Sequence, residues 1–240
     1  PNITPKASDH IQEMVDMIQT LCDKQHAYQS DDGSVYFDVS SFNQFGCTGH
    51  YSDEGQDNDD HDYIKKYPRD FVLWKSYDEK RDQGIYWDSL FGKGRPGWHI
   101  ECSAMALKYL GDSIDIHGGG IDLLFPHHEN EIAQSCCYND NDKMANYFIH
   151  NGTLNIEGKK MSKSAGNVTL LTDTLQSYHG SIVRLNMLRT HYRQPIDWTE
   201  RSLEQTENVM RKWLSADKDI NTEVNEVPKE VYESLFDDMN

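Results

Sequence analysis

Residues 113–150, SIDIHGGGIDLLFPHHENEIAQSCCYNDNDKMANYFIH, decide the fold of this chain. Alternating apolar residues predict a strand over 113–117, and a helix is predicted over 126–138 with Pro126 at its start. The apolar run at 147–150 predicts a second strand. Strand, helix and strand in this order favour an α/β domain with a mostly parallel sheet, because a helical crossover connects parallel strands.

The segments on either side continue this alternation of helices and strands. Apolar residues at helical spacing predict a helix over 8–29, capped by Ser8 or Asp9. Residues 46–69 are rich in glycine, aspartate and asparagine and predict a long polar loop. The remaining predicted elements are, in chain order, strands at 35–39 and 71–74, a helix at 98–110, a strand at 153–156, amphipathic stretches at 172–179 and 181–192, and a polar helical tail.

The chain is strongly acidic, since its 240 residues carry 23 Lys and Arg against 40 Asp and Glu, a net charge of −17. Such a surface repels phosphate on average, but much of the acid lies in 53–62 and 215–240, so the middle of the chain can still hold a phosphate site. The acidic stretch 53–62 is interpreted as a solvated loop.

The cysteine content and the apolar runs indicate the compartment. Five cysteines, an odd number without framework spacing, are typical of a reducing environment, and we expect a cytoplasmic protein. Residues 1–6 show no signal-peptide pattern. The longest apolar runs, such as 71–74, are far shorter than the roughly 18 residues that a membrane span requires, so we expect no membrane partner.

A glycine triplet follows the strand predicted over 113–117. Gly118 and Gly119 leave space for a flat ligand against the backbone, and Asp122 stands where a ribose hydroxyl can be bound. An ordinary glycine-rich turn explains the same pattern, because a triple glycine by itself is a weak signal.

The clearest basic cluster of the chain is the loop 158–167, GKKMSKSAGN. Its lysines and backbone N–H groups are suited to holding phosphate oxygens. A solvated lysine turn is the alternative, but residues 160–164 spell KMSKS, a pattern of class I aminoacyl-tRNA synthetases. This match is specific, and we interpret the loop as a phosphate site.

Thiol, imidazole and carboxylate side chains suggest a metal site. His127 and Glu131 are four residues apart on the predicted helix and share a face, and Cys102 supplies a thiolate from another helix. His128 with Glu131 is an alternative pair, and periodicity does not choose between them. Cys136 and Cys137 are interpreted as packing residues.

Together these blocks resemble the cysteinyl-tRNA synthetase family. The similarity rests on GRPGWHIECSAM at 94–105, DIHGGG at 115–120, FPHHENE at 125–131 and KMSKS, and it covers roughly residues 1 to 200. It implies a class I synthetase Rossmann-like catalytic domain with a parallel sheet. The implied divisions are the end of the first catalytic half (1–29), a connective insertion (30–95), the second half with the KMSKS loop (96–192) and the start of a helical region (193–240).

The resemblance implies the activation of L-cysteine with ATP and Mg²⁺ and its transfer to the 3′ end of cysteine tRNA. By position, Cys102, His127 and Glu131 resemble three of the family's four ligands of Zn²⁺, which binds the substrate thiolate and so discriminates against serine. Trp98 resembles the aromatic residue that flanks the cysteine pocket, beside the ligand Cys102. The remaining implied roles are adenosine binding by His117, Gly118, Gly119 and Asp122, and stabilisation of charge on the α-phosphate and the departing pyrophosphate by Lys160 and Lys163.

The chain also departs from the family pattern. It contains neither the HIGH-type motif nor the fourth zinc ligand, a cysteine that precedes it, so we expect an internal fragment with weakened metal binding. Most of the anticodon-binding domain is also absent after Thr199. Two alternatives remain open: the cysteine ligase of mycothiol synthesis, which shares this core, and a non-catalytic synthetase-like binding module.

Overall fold

The computed structural model describes residues 1–46, 65–217 and 227–238. The acidic stretch 53–62 and Cys47 lie outside the described residues. Within those residues, none of the helices has the length and apolar character needed to cross a membrane.

The described residues contain both helices and strands, as the sequence predicts. The helices are α1 (Ile11–Asp23), α2 (Glu79–Asp82), α3 (Trp98–Leu110), α4 (Glu129–Asn139), α5 (Leu171–Ser177), α6 (Gly180–Leu188), α7 (Glu200–Asp217) and α8 (Lys229–Phe236). The strands are β1 (Ala27–Gln29), β2 (Val35–Phe37), β3 (Phe71–Ser76), β4 (Gly94–Pro96), β5 (Ile114–Gly120), β6 (Ala145–Asn151), β7 (Leu154–Ile156), β8 (Lys159–Lys160) and β9 (Ile196–Trp198). The chain divides into two compact units, Pro1–Ile149 and His150–Asn240.

The first unit contains a four-stranded antiparallel sheet in the order β1-β2-β3-β4. The apolar side of α1 packs in the same core as this sheet, and Met14, Ile18 and Leu21 are fully buried there. Ile100 of α3 and Ala133 of α4 belong to the same core. This core therefore fixes the two helices that carry the candidate metal ligands.

The predicted boundaries of the first helix are wrong at both ends. Residues Ala7–Asp9 form a separate 3₁₀ turn, and α1 begins at Ile11 after His10, without a cap from Ser8 or Asp9. The helix ends at Asp23 because Gln25 adopts a left-handed backbone with φ of 65°, a conformation that stops a right-handed helix.

Strands β5 and β6 form the parallel pair that the sequence predicts. The N–H of Ile114 donates to the Met144 carbonyl at 3.0 Å, so both strands start at the same end of the pair and run in the same direction. Helix α4 lies between them in the sequence, which makes this a β–α–β unit. The α/β fold class is confirmed, although the parallel pair consists of two strands in the described residues.

The predicted helix start at Pro126 agrees with the backbone. Within the π-type turn Leu124–His128, the non-helical residue is Phe125, with φ −137° and ψ 133°, and the helical backbone that follows it continues into α4 at Glu129. Proline disfavours the helical region for the residue before it. Because of this turn, His127 and His128 both lie buried at the beginning of α4.

The second unit contains a three-stranded sheet in the order β8-β7-β9. Strand β7 pairs antiparallel with β8 and parallel with β9. Helix α6 packs against α7, where the Thr206 hydroxyl donates to the Asn186 side-chain oxygen at 3.0 Å in a buried position. The KMSKS segment begins at Lys160, the last residue of β8, so this sheet holds the first residue of the segment.

Asp82 is expected to contribute stability that depends on pH. Its buried carboxylate accepts hydrogen bonds from Arg81 at 2.7 and 2.8 Å and from Arg95 at 3.2 Å. The Arg81 guanidinium, chiefly, holds the pKa of Asp82 far below its usual range. Since the pKa is lower in the folded state, this stability is present above the ordinary carboxyl pKa and is lost as the pH falls from there toward the lowered value.

Replacing Asp82 by Asn is therefore expected to lower the free energy of unfolding by about 1–2 kcal/mol at pH 7. The loss is modest because both arginines are partly exposed, so that solvent screens their charges. Urea denaturation at pH 7 and pH 3 measures the difference from wild type, which should narrow at the lower pH. Asp88→Asn, an exposed aspartate in the same segment, is the control and should show little change. An Asp82→Asn difference that is constant with pH contradicts this account.

Candidate active site

Three side chains with metal-binding atoms meet in the first unit. Cys102 comes from the middle of α3, His127 from the turn before α4, and Glu131 from the first turn of α4. Their ligand atoms all lie within 4.8 Å of one another. The structure thus brings together the three residues that the sequence suggested as ligands; we call them the Cys102 group.

A second group overlaps the first at the same carboxylate. His117 of β5, His128 and Glu131 also have their ligand atoms within 4.8 Å of one another. His117 Nε2 lies 2.7 Å from Glu131 Oε2, whereas His127 Nε2 lies 3.5 Å from Oε1. The two oxygens of Glu131 therefore face different partners: Oε2 faces β5, and Oε1 faces the Cys102 group.

Burial and neighbouring charges shift the protonation of these groups. Burial raises the pKa of Glu131, but the hydrogen bond and charge of His117, with the other histidines, outweigh it, so that its pKa is lowered. Burial, with the Glu131 carboxylate, raises the pKa of Cys102 to about 12. Burial also lowers the pKa of His127. The site therefore holds a neutral thiol beside an ionised carboxylate.

His99 supports this group and was missed by the sequence analysis. Its Nδ1 lies 2.8 Å from Nδ1 of His127, and both rings are buried. This contact leaves Nε2 of His127 directed toward Glu131. Burial and the neighbouring His127 lower the pKa of His99 to about 4, so the two rings share one hydrogen bond as neutral imidazoles. The only feature of the sequence that pointed to His99 was its position directly after Trp98.

The residues of the Cys102 group are chemically suited to a zinc ion. Glu131 Oε1 is buried and, apart from the 3.5 Å contact with His127 Nε2, has no hydrogen-bond partner among the described residues; a buried carboxylate oxygen without a hydrogen bond is costly. Thiolate sulfur, imidazole nitrogen and carboxylate oxygen are all ligands that Zn²⁺ accepts. A divalent cation would satisfy Oε1 and favour the thiolate of Cys102, so the residues fit the ion.

Trp98 and the glycine triplet lie around these histidines. The Trp98 ring is centred 4.4 Å from the His127 ring and is 58% exposed, so one part of the indole faces solvent. A Cβ at Gly119 would lie 2.8 Å from the His128 ring, which explains why this position carries glycine. Gly118 has ordinary space around it, and the exposed Asp122 folds its carboxylate back toward Gly120.

The KMSKS loop lies in the second unit, between β8 and α5. Lys160 and Lys163 are both exposed. Asn167 holds the loop closed: its side-chain oxygen accepts from the Ser162 N–H at 2.9 Å, and its side-chain nitrogen donates to the Lys160 carbonyl at 3.2 Å. The sequence analysis gave Asn167 no role, because its partners are backbone atoms five to eight residues away.

Comparisons with known proteins define the class to which this fold and site belong. The family described as tRNA synthetases class I (C) catalytic domain matches residues 1–208. The chain therefore belongs to the family of class I (C) tRNA synthetase catalytic domains. A solved methionyl-tRNA synthetase from Mycobacterium tuberculosis, in complex with methionyl-adenylate, aligns with a TM-score of 0.61 over 86% of this chain and 51% of that chain. At 13% identity, this likeness shows the shared fold alone.

The particular relatives are named cysteine–tRNA ligases. One from Afipia carboxidovorans is 47% identical over 256 residues, covering 100% of this chain and 53% of the relative. Another from Rhodospirillum rubrum is 48% identical over 247 residues, with 100% and 53% covered. The family predicted from the sequence is confirmed. The chain spans about half the length of the curated relatives it matches.

Proposed function

We propose that the protein activates L-cysteine with ATP and transfers it to the 3′ end of cysteine tRNA, as part of translation in the cytoplasm. The observation that carries this proposal is the Cys102 group, with a buried Glu131 oxygen that makes no hydrogen bond among the described residues. A thiol, an imidazole and a carboxylate within 4.8 Å form a site for a thiophilic cation. Similarity to relatives named cysteine–tRNA ligases supports the same substrate.

In this proposal, Cys102, His127 and Glu131 hold Zn²⁺. Held by these residues, Zn²⁺ would supply a thiophilic Lewis acid, which would favour the thiolate of L-cysteine over the hydroxyl of serine. Trp98 forms one wall of the amino-acid pocket beside His127. The contact of His117 with Glu131 keeps one carboxylate oxygen directed toward β5 and leaves the other for the ion, as outer partners of metal ligands commonly do.

In this proposal, one set of residues contacts the adenosine of ATP and a second set contacts its phosphates. His117, Gly118, Gly119 and Asp122 line the adenosine site, where the ordinary space around Gly118 gives the nucleotide access to the backbone. Lys160 and Lys163 stabilise the charge that develops on the α-phosphate and on the departing pyrophosphate, together with the Mg²⁺ that accompanies ATP. Both lysines are exposed on the loop.

We also propose a functional division of the chain. Residues 1–29 close the first half of the catalytic domain, 30–95 form the connective insertion, 96–192 form the second half with the KMSKS loop, and 193–240 begin the helical region. Strands β2 and β3 lie within 30–95 and pair with each other in the antiparallel sheet β1-β2-β3-β4.

Lys163→Ala is expected to lower the kcat of cysteine activation by about 100-fold with little change in the KM for cysteine, because the ammonium acts on charge that develops during the reaction. Steady-state exchange kinetics measure both constants. Lys159→Ala, which removes an exposed lysine of the same loop outside the KMSKS motif, is the matched control. Equal losses in the two variants would show that the loop acts only through its general charge.

The proposed function is tested by cysteine-dependent exchange of pyrophosphate into ATP, with zinc supplied and serine as the control. Because the sequence contains no HIGH-type motif, the assay is run on the chain alone and with a family segment that carries this motif, and we expect exchange with cysteine and none with serine when the segment is present. Transfer of the activated cysteine to tRNA, and not to an amino-sugar, then separates a tRNA ligase from a mycothiol-type ligase. Binding of ATP and cysteine without exchange, even when the segment is present, would contradict the proposal and favour a binding module.

A further inference from the structure

The turn between α6 and β9 contacts Asp238 with three consecutive side chains, two of which meet its carboxylate. Arg193 Nε lies 2.8 Å from Asp238 Oδ2 in an ion pair, and the Tyr192 hydroxyl donates to Asp238 Oδ1 at 2.6 Å. His191 Nε2 lies 2.7 Å from the backbone carbonyl of Asp238. All of these residues belong to the second unit. We call His191–Tyr192–Arg193 the 191–193 turn.

The donors of this turn are fixed before any ligand arrives. The Arg193 backbone N–H donates to His191 Nδ1 at 3.3 Å, so Nε2 of the same ring carries the proton and donates outward. The Gln194 N–H donates to the His191 carbonyl at 2.9 Å, and the Gly152 N–H donates to the Tyr192 carbonyl at 2.7 Å. A Cβ at Gly152 would overlap the Gln194 carbonyl, so the turn sits directly against this glycine.

The three side chains also support one another. Arg193 Nε lies 3.0 Å from the Tyr192 hydroxyl, and the guanidinium carbon lies 5.5 Å from the centre of the Tyr192 ring. The Arg193 side chain is 64% exposed, so most of its guanidinium faces solvent. The hydrogen bond from Tyr192 and the Arg193 guanidinium lower the pKa of Asp238, as expected for a carboxylate in an anion site.

We propose that the 191–193 turn binds a phosphate group of an RNA backbone, and that the Asp238 carboxylate occupies this site when no RNA is bound. A guanidinium, a hydroxyl and a protonated imidazole nitrogen can each donate a hydrogen bond, and this set matches the several acceptor oxygens of a phosphate. Such a set is distinctive in a chain with a net charge of −17. The assignment to RNA rests on the proposed function, which requires a tRNA substrate.

Because Asp238 and the RNA phosphate compete for the same site in this proposal, substitutions of Arg193 and of Asp238 should change tRNA binding in opposite directions. Arg193→Ala should weaken the binding of cysteine tRNA about tenfold and reduce the slope of log affinity against log salt concentration by about one, because one phosphate contact is lost. Asp238→Ala should strengthen tRNA binding severalfold. Arg193→Lys should restore part of the affinity, since it keeps the charge but loses the planar fork. Fluorescence anisotropy with labelled tRNA at several salt concentrations measures all three.

The matched control is Arg211→Ala, which removes another exposed arginine of the second unit that is held by a carboxylate, Glu207. The proposal requires Arg193→Ala to exceed this control in both affinity and salt slope, while cysteine-dependent pyrophosphate exchange, which needs no tRNA, stays at the wild-type rate. Equal effects of the two variants, or unchanged tRNA binding in Arg193→Ala, overturn it.

If the protein did not bind tRNA at all, the proposed tRNA substrate would be refuted. A separate measurement then tests whether the 191–193 turn binds an anion. Inorganic phosphate is titrated into Asp238→Ala while NMR follows the Arg193 Nε–H resonance. A saturable shift that is absent when Tyr192→Phe is added supports a phosphate site whose source is a free phosphate or nucleotide. No shift overturns the site itself.

Discussion

Replacing Cys102 by serine is expected to lower zinc affinity by about 100-fold or more and to reduce cysteine activation accordingly. Loss of an outer partner of a metal ligand typically costs about 10–100-fold in metal affinity, and the loss of a ligand itself should reach at least the upper end of that range. The serine hydroxyl is nearly the same size as the thiol but is a poor ligand for a soft cation. Metal content after dialysis and pyrophosphate exchange measure the two effects.

The control for this variant is Cys22→Ser, which alters a partly buried cysteine of α1 outside the Cys102 group. Cys22→Ser should retain zinc and activity, and thermal melts should show that both variants remain folded. If Cys102→Ser retained wild-type zinc content, Cys102 would not be a ligand, and the proposed role of the Cys102 group would be wrong.

Of the substitutions described here, Gly97→Ala is expected to cause the largest loss of stability. Gly97 precedes α3, and its N–H donates to the Leu73 carbonyl at 2.8 Å. A Cβ there would overlap the Val72 carbonyl oxygen, which is backbone and has no alternative rotamer. Overpacking of this kind costs about 3 kcal/mol at the upper end of its usual range, which for a protein of this size corresponds to a Tm lower by about 10 °C.

The matched control for this prediction is Gly180→Ala, at the first residue of α6. A Cβ at Gly180 would make an ordinary contact of 3.8 Å with Leu175, and alanine favours helices more than glycine does. Differential scanning calorimetry should therefore show an unchanged or slightly higher Tm for Gly180→Ala. A Gly97→Ala melt that matched Gly180→Ala would show that β3 and α3 separate easily, contrary to the packing described.

Much of the fold follows from the sequence because the main core elements have clear periodicity. The helix predicted over 98–110 has the same bounds as α3, since Gly97 and Gly111 stand at its two ends. The first helix was predicted too long because helical spacing alone did not reveal the left-handed Gln25. The antiparallel sheet was not predicted, since β1 has only three residues and its pairing with β2 is a tertiary contact.

The candidate site was also predicted only in part from the sequence. Residue types and helical spacing suggested Cys102 and Glu131 but left His127 and His128 as alternatives. The resemblance to the cysteinyl-tRNA synthetase family selected His127. The contact between His117 and Glu131 was not predicted, because it joins a strand to a helix and depends on the π-type turn at Leu124–His128. The 191–193 turn carried no signal, since its partner Asp238 is more than forty residues away in the sequence.

The most direct test of the account is the absorption spectrum of the protein with Co²⁺ in place of zinc, recorded before and after L-cysteine is added, with L-serine as the control. The account predicts a sulfur-to-cobalt charge-transfer band from Cys102 that intensifies with cysteine and does not change with serine. A spectrum without a sulfur band, or one that cysteine and serine change equally, would contradict the claim that the Cys102 group holds the ion that selects the amino acid.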